Sequence, residues 1–158
     1  MIEPNTIYLI NKDNFANQVS VLVKICMTLK YAKKEPINQD VFIEYVTIAL
    51  STGKCIVLVT FDKDNKLNCC IVLFIKDNPV KGRILWIEWA WANTKSKSLS
   101  KKVFEKIEEV ARKANANKVA GAMTHGFNAV FKLYGLKEEY RVMAKDVKKD
   151  VIKNVKDV

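Results

Sequence analysis

The stretch NTKSKSLSKKVFEKIEEV, residues 93–110, decides how the rest of the chain is read. It follows the aromatic run ILWIEWAWA (84–92) and opens an apolar stripe Leu99, Val103, Phe104, Ile107, Val110 and Ala111 at helical spacing. A strand therefore hands over to a helix predicted from Ser98 to Ala114. The N-terminus of such a helix carries partial positive charge and is a natural place for an anion. Lysines crowd it, yet the junction contains no glycine.

Outward from this point the chain reads as alternating strands and helices. TIYLI (6–10) predicts a first strand, with Asp13 or Asn14 as the cap of a helix to Tyr31. Pro36 ends that region and a second helix spans Ile37 to Leu50, closed by Gly53. CIVLVTF (55–61) and LNCCIVLFI (67–75), separated by the polar turn DKDNK, predict an antiparallel hairpin. The 84–92 run is bulky on both faces and is expected near the centre of the sheet. After the long helix come a strand from Lys118 to Met123, a short helix stopped by Gly135, and a last strand, EYRVMAKDV. The order predicts an α/β (mixed α+β) single domain over residues 1–147, a central mixed sheet flanked by helices, followed by a basic tail at 148–158.

Composition narrows the function classes. The 158 residues, 49% hydrophobic, suit one ordinary domain with a sizeable core. Lys plus Arg number 27 against 17 acids, leaving +10, which keeps nucleic acid open as a partner through long-range attraction. No nucleic-acid-reading module accompanies that charge. Cys26, Cys55, Cys69 and Cys70 lie in apolar runs without ligand spacing, and His125 is the sole histidine, so no metal site is expected. The opening residues lack a basic signal-peptide region, and no apolar run is long enough to span a bilayer. A cytoplasmic, reducing setting without membrane contact is the expectation.

The order of elements, with its loop before the long helix, resembles the GNAT superfamily of acetyl-CoA dependent N-acetyltransferases, and does so over essentially the whole chain. KSKSLSKKVFEKI (95–107) aligns without a gap on the family pattern RGKGIGKALLEAL, with apolar positions in register. The resemblance implies a cofactor-binding segment of Lys95, Ser96, Lys97, Ser98, Leu99, Ser100 and Lys101, joined by Lys102. Ser96, Ser98 and Ser100, however, stand where the family has glycines that let the backbone approach the CoA pyrophosphate. THGFNAVFKLYGL (124–136) is similar to the family segment NEAALRLYEKLGF, whose tyrosine protonates the departing thiolate and whose asparagine helps hold the cofactor. Here Phe131 and Thr124 occupy those positions, and phenylalanine has no proton to give. Tyr134, about one helical turn on, is the alternative acid. Glu88 and His125 are the candidate bases, since an amine nucleophile must first lose a proton. For Glu88 the competing reading is a carboxylate paired with a lysine at the sheet surface. For His125 it is a cap or packing residue.

Three departures at separate cofactor and acid positions point to a degenerate member: a non-catalytic binding or structural protein with no cofactor, acting through protein contacts. The composition is similar to acetyltransferase-like proteins of tailed bacteriophages, which adds the virion as a second location. The alternative is an active acyl-CoA dependent N-acyltransferase, with acetyl-CoA as cofactor. A basic nucleic-acid-binding accessory protein is a third reading. Val147, Val151, Val155 and Val158 recur at spacings of four, four and three, so the tail is expected to dock its apolar stripe on a partner or a second copy.

Overall fold

The computed structural model describes residues 3–33, 37–93 and 96–121. Among these residues five strands form a single sheet in the order β1 (Tyr8–Ile10), β2 (Cys55–Phe61), β3 (Leu67–Asn78), β4 (Gly82–Ala92) and β5 (Lys118–Gly121). The first four pair antiparallel and β5 runs parallel to β4. The sheet is mixed, as the sequence predicts.

Turn chemistry accounts for the hairpins. In DKDNK the Asp62 carboxylate accepts from the backbone N–H groups of Asp64 and Lys66, both at 2.9 Å, while Asn65 takes φ 59°. Asn78 plays the same part between β3 and β4, accepting from Val80 and Lys81, and Gly82 supplies φ 74°. The change to parallel pairing needs a crossover, and α3 (Lys97–Lys113) provides it.

Both faces of the sheet are apolar because both are covered. On one face Leu22, Ile25 and Leu29 of α1 (Val19–Lys33) and Phe42, Val46 and Leu50 of α2 (Gln39–Ser51) pack over Val57, Val59, Cys70, Val72 and Phe74. On the other, Leu99, Val103, Ile107 and Val110 of α3 pack over Leu58, Ile71, Leu73, Leu85 and Ile87. Cys69 and Cys70, adjacent on β3, divide between the two cores as strand alternation requires.

Several boundaries differ from the sequence reading, each for a local reason. The helix expected from Phe15 begins as a 3₁₀ turn, Phe15–Gln18, before α1. Asn14 does not cap it with its side chain, which instead accepts from Asn11 N–H and donates to the Leu9 carbonyl. α2 starts at Gln39 because Asn38 is the cap, accepting from Asp40 and Val41. The aromatic strand lies inside the sheet as expected, paired with β3 on one side and β5 on the other. Gly121, opposite Ile87, allows β5 to close on β4 there, since a Cβ would stand 2.9 Å from the Ile87 carbonyl oxygen. Residues 122–158, with the predicted last strand and the valine-striped tail, lie outside the described residues.

Thr60 is 1% exposed in the core under α3, and its hydroxyl has no hydrogen-bond partner among the described residues. Thr60→Val keeps the shape and removes the desolvated hydroxyl, so it is expected to raise stability by about 1 kcal/mol in urea denaturation. A lowered midpoint would mean that the hydroxyl is satisfied after all.

Candidate functional site

The ladder between β3 and β4 contains one irregularity. Val72 is opposite Trp89, but the next residue, Leu73, is opposite Ile87, so Glu88 is an extra residue in β4. Such a bulge bends the strand and re-aims its side chains. Strict alternation would place Trp86 and Trp89 on opposite faces. With the bulge, Trp86, Trp89 and Trp91 all pack on the α1/α2 side, while Ile87 and Ala90 face α3.

Glu88 opens onto a cleft of about 530 Å³ between β4 and the first turns of α2. It is lined by Ile37, Asn38, Val41, Phe42, Tyr45, Glu88 and Trp89. The aromatic rings hold one another in place: Tyr45 stacks on Phe74 at 5.0 Å and meets Trp89 edge-on at 6.3 Å, and Phe42 tilts against Trp89 at 5.1 Å. Burial, then the Glu88 charge, raises the Tyr45 hydroxyl above its ordinary range. The same causes push the Cys55 thiol up to about 12.

Glu88 is not alone. Its Oε2 accepts from Lys76 Nζ at 3.1 Å, and that ammonium also lies 4.6 Å from the centre of the Trp86 ring. The Glu88 side chain is 26% exposed and that of Lys76 45%, so the pair is a solvent-accessible ion pair worth about 0–1 kcal/mol. This is the lysine-paired carboxylate that the sequence offered as the alternative to a catalytic base, now seen at the edge of a cleft.

The start of α3 lies on the other side of the sheet from this cleft. Ser96 is its cap, accepting from Leu99 N–H at 3.3 Å. The Ser96 and Ser98 hydroxyls are 3.0 Å apart, and Ser100 Oγ donates to the Ser96 carbonyl at 3.1 Å. Lys101 reaches Glu105 at 3.8 Å. Of the predicted cofactor segment, Ser96, Lys97, Ser98, Leu99, Ser100 and Lys101 thus form one capped helix start, in which Leu99 is buried in the α3 core. Lys95, His125, Phe131 and Tyr134 lie outside the described residues.

Sequence reasoning missed Lys76 and the cleft. Phe42, Tyr45 and Trp89 were readable only as core residues. A signal was present: the second helix is apolar around much of its circumference, and Val41, Tyr45 and Ile48 remain exposed in the structure.

No protein-family model and no curated protein sequence matches the chain. Solved structures do. A predicted acetyltransferase with acetyl-CoA from Clostridium acetobutylicum superposes with a TM-score of 0.69 at 12% identity, over 89% of this chain and 95% of that one. An aminoglycoside acetyltransferase from an uncultured soil metagenomic sample, in complex with trehalose, gives 0.69 at 11% identity over 90% and 96%. A Trypanosoma brucei acetyltransferase gives 0.61 at 13% identity over 90% and 99%. At these identities the likeness establishes architecture: the chain has the GNAT acetyltransferase fold.

Two measurements follow from the site. Ser96→Ala removes the α3 cap and should cost about 1 kcal/mol of stability. Burial alone pushes Cys69 up to about 12, matching Cys55. At pH 8 on the order of one such thiol in 10⁴ is ionised, so both should resist iodoacetamide in the native protein and react after denaturation, as read by mass spectrometry. Rapid native alkylation of either would contradict the packing described.

Proposed function

We propose that this GNAT-fold chain works by binding, without acetyl transfer. The observation that carries this reading is the start of α3. A pyrophosphate is held at such a place by backbone N–H groups approached closely, and glycine leaves the space for it. Here Ser96, Ser98 and Ser100 stand at the glycine positions of the resembled pattern: the Ser96 and Ser98 hydroxyls meet, Ser100 Oγ donates to the Ser96 carbonyl, and Ser96 Oγ accepts from Leu99 N–H. The residues present do not fit a CoA cradle. Phe131 at the position of the family acid points the same way. The binding surface that fits is the aromatic cleft with the exposed α2 residues Val41, Tyr45 and Ile48 beside it.

A second reading, an acyl-CoA dependent N-acyltransferase, is favoured by one feature. Glu88 sits on a strand bulge at the edge of an apolar cleft, where a base for an amine nucleophile would be useful. It ranks second because a working base is of little use without a cofactor grip. The nucleic-acid reading ranks third, because much of the basic charge on α3 is neutralised within the helix. Lys106 and Lys113 both donate to Glu109, holding its carboxyl down to about 2, and Arg112 faces Glu108.

Calorimetric titration with acetyl-CoA at moderate salt tests the proposal. No binding at millimolar ligand and no acetyl transfer to amines above background are expected. Loss of a general acid alone removes a factor of about 10² to 10⁴ in rate. Micromolar affinity with ordinary turnover would move the acyltransferase reading to first place. Ser98→Gly, Ser100→Gly and Phe131→Tyr combined should raise CoA affinity if the register of residues 95–107 and 124–136 is right.

A further inference from the structure

The two helices that share one face of the sheet sort their charges by sign. α1 carries Lys24, Lys30 and Lys33 and no acid, whereas α2 carries Asp40 and Glu44 and no base. Lys24, Lys30, Asp40 and Glu44 are exposed, and none has an ion-pair partner among the described residues. On α3, by contrast, Lys101 pairs with Glu105, Arg112 with Glu108 and Lys113 with Glu109. Apolar exposure follows the same division. Of the large apolar residues exposed among the described residues, Val19 and Tyr31 lie on α1, Val41, Tyr45 and Ile48 on α2, and only Val80 elsewhere. Val41, Glu44, Tyr45 and Ile48 fall at i, i+3, i+4 and i+7, which is one continuous helix face. Lys24 and Tyr31, seven residues apart, likewise share a face of α1.

We propose that this α1/α2 face is the contact surface of a homodimer with twofold symmetry, in which α1 of each copy lies on α2 of the other. The inference rests on the reading of the exposed α2 residues as a binding surface, and names the occupant. In a twofold interface a patch meets its own copy, so a patch of one sign repels itself, while two neighbouring stripes of opposite sign match. The symmetry sets Lys24 and Lys30 against Asp40 and Glu44 of the second copy, and does so twice. Tyr31, Tyr45 and Ile48 lose their water between the charged pairs. A different protein would need two stripes of opposite sign side by side, which a second copy supplies by construction. Helices of 15 and 13 residues are each about 20 Å long, which puts the face at the low end of specific interfaces and the dissociation constant on the order of 10 µM.

Sedimentation of the full chain from about 1 to 200 µM should show monomer passing to dimer, with the dimer weakened by added salt. Lys24→Glu with Lys30→Glu, and separately Asp40→Lys with Glu44→Lys, should each weaken association about tenfold or more, since each brings like charges together twice. Mixed in equal amounts, the two variants should pair as a heterodimer, because each offers on both helices the sign that the other lacks. Ile48→Ser should weaken the dimer several-fold at any salt concentration. All five positions are exposed, so the fold does not depend on them. A native chain that stays monomeric throughout that range would overturn the proposal and leave the face to a different protein. Reversed variants that associate as the native chain does, or that fail to pair with each other, would also overturn it. These outcomes are independent of the acetyl-CoA titration. CoA binding would overturn the non-catalytic reading and leave the dimer standing, whereas a monomeric chain would do the reverse.

Discussion

A single extra residue in β4 governs how the two sides of this molecule differ. Without the bulge at Glu88, period-two alternation would turn Trp89 and Trp91 under α3 and Ala90 toward α2. The bulge reverses that phase for the second half of the strand, so the indoles gather on the α1/α2 face and α3 meets the smaller Ile87 and Ala90. The long amphipathic α3 can then seat Leu99, Val103 and Ile107 against the sheet, while the opposite face gains an aromatic wall too large to be fully covered by two helices. The cleft is the uncovered remainder.

The helices divide the work accordingly. The α3 side is a conventional core, and on the helix's exposed side Lys101 and Glu105, Glu108 and Arg112, and Glu109 and Lys113 pair one turn apart. The α2 side has a buried row, Phe42, Val46 and Leu50, and a second row, Val41, Tyr45 and Ile48, that folding leaves in solvent. Exposing three large apolar residues on one helix gains nothing for an isolated domain, and it is the kind of surface that binding would cover.

Much of the architecture was legible in the sequence because it rests on local rules. The hairpin at DKDNK follows from aspartate and asparagine turn chemistry, and α3 from its stripe of apolar residues in register. The bulge was not legible, because it is a property of two strands in register: nothing within ILWIEWAWA shows that Leu73 will pair with Ile87 instead of Glu88. The interior place of the aromatic strand was legible from its bulk, but that its three tryptophans share one face was not, for the same reason. Glu88 was found as a candidate because it is the only acid in its strand; its partner Lys76 was not, since the two lie on different strands and only pairing brings them together. The position of Tyr45 and Phe42 around the cleft was hidden by the helical periodicity they share with true core residues.

At the head of α3, serines stand where the resembled family pattern has glycines, while the apolar positions that build the fold stay in register. The fold depends on Leu99, Val103, Ile107 and Val110, whose packing is indifferent to what precedes them. A glycine-rich loop leaves the first N–H groups of the helix for a phosphate to satisfy, which stabilises the helix start only when ligand is bound. Ser96 satisfies one of them permanently, and Ser98 and Ser100 join it in a local network that needs no ligand. The first turn of the helix is thereby held by its own side chains. A capping side chain and a phosphate call on the same backbone groups at a helix start, and here Ser96 accepts from the Leu99 N–H.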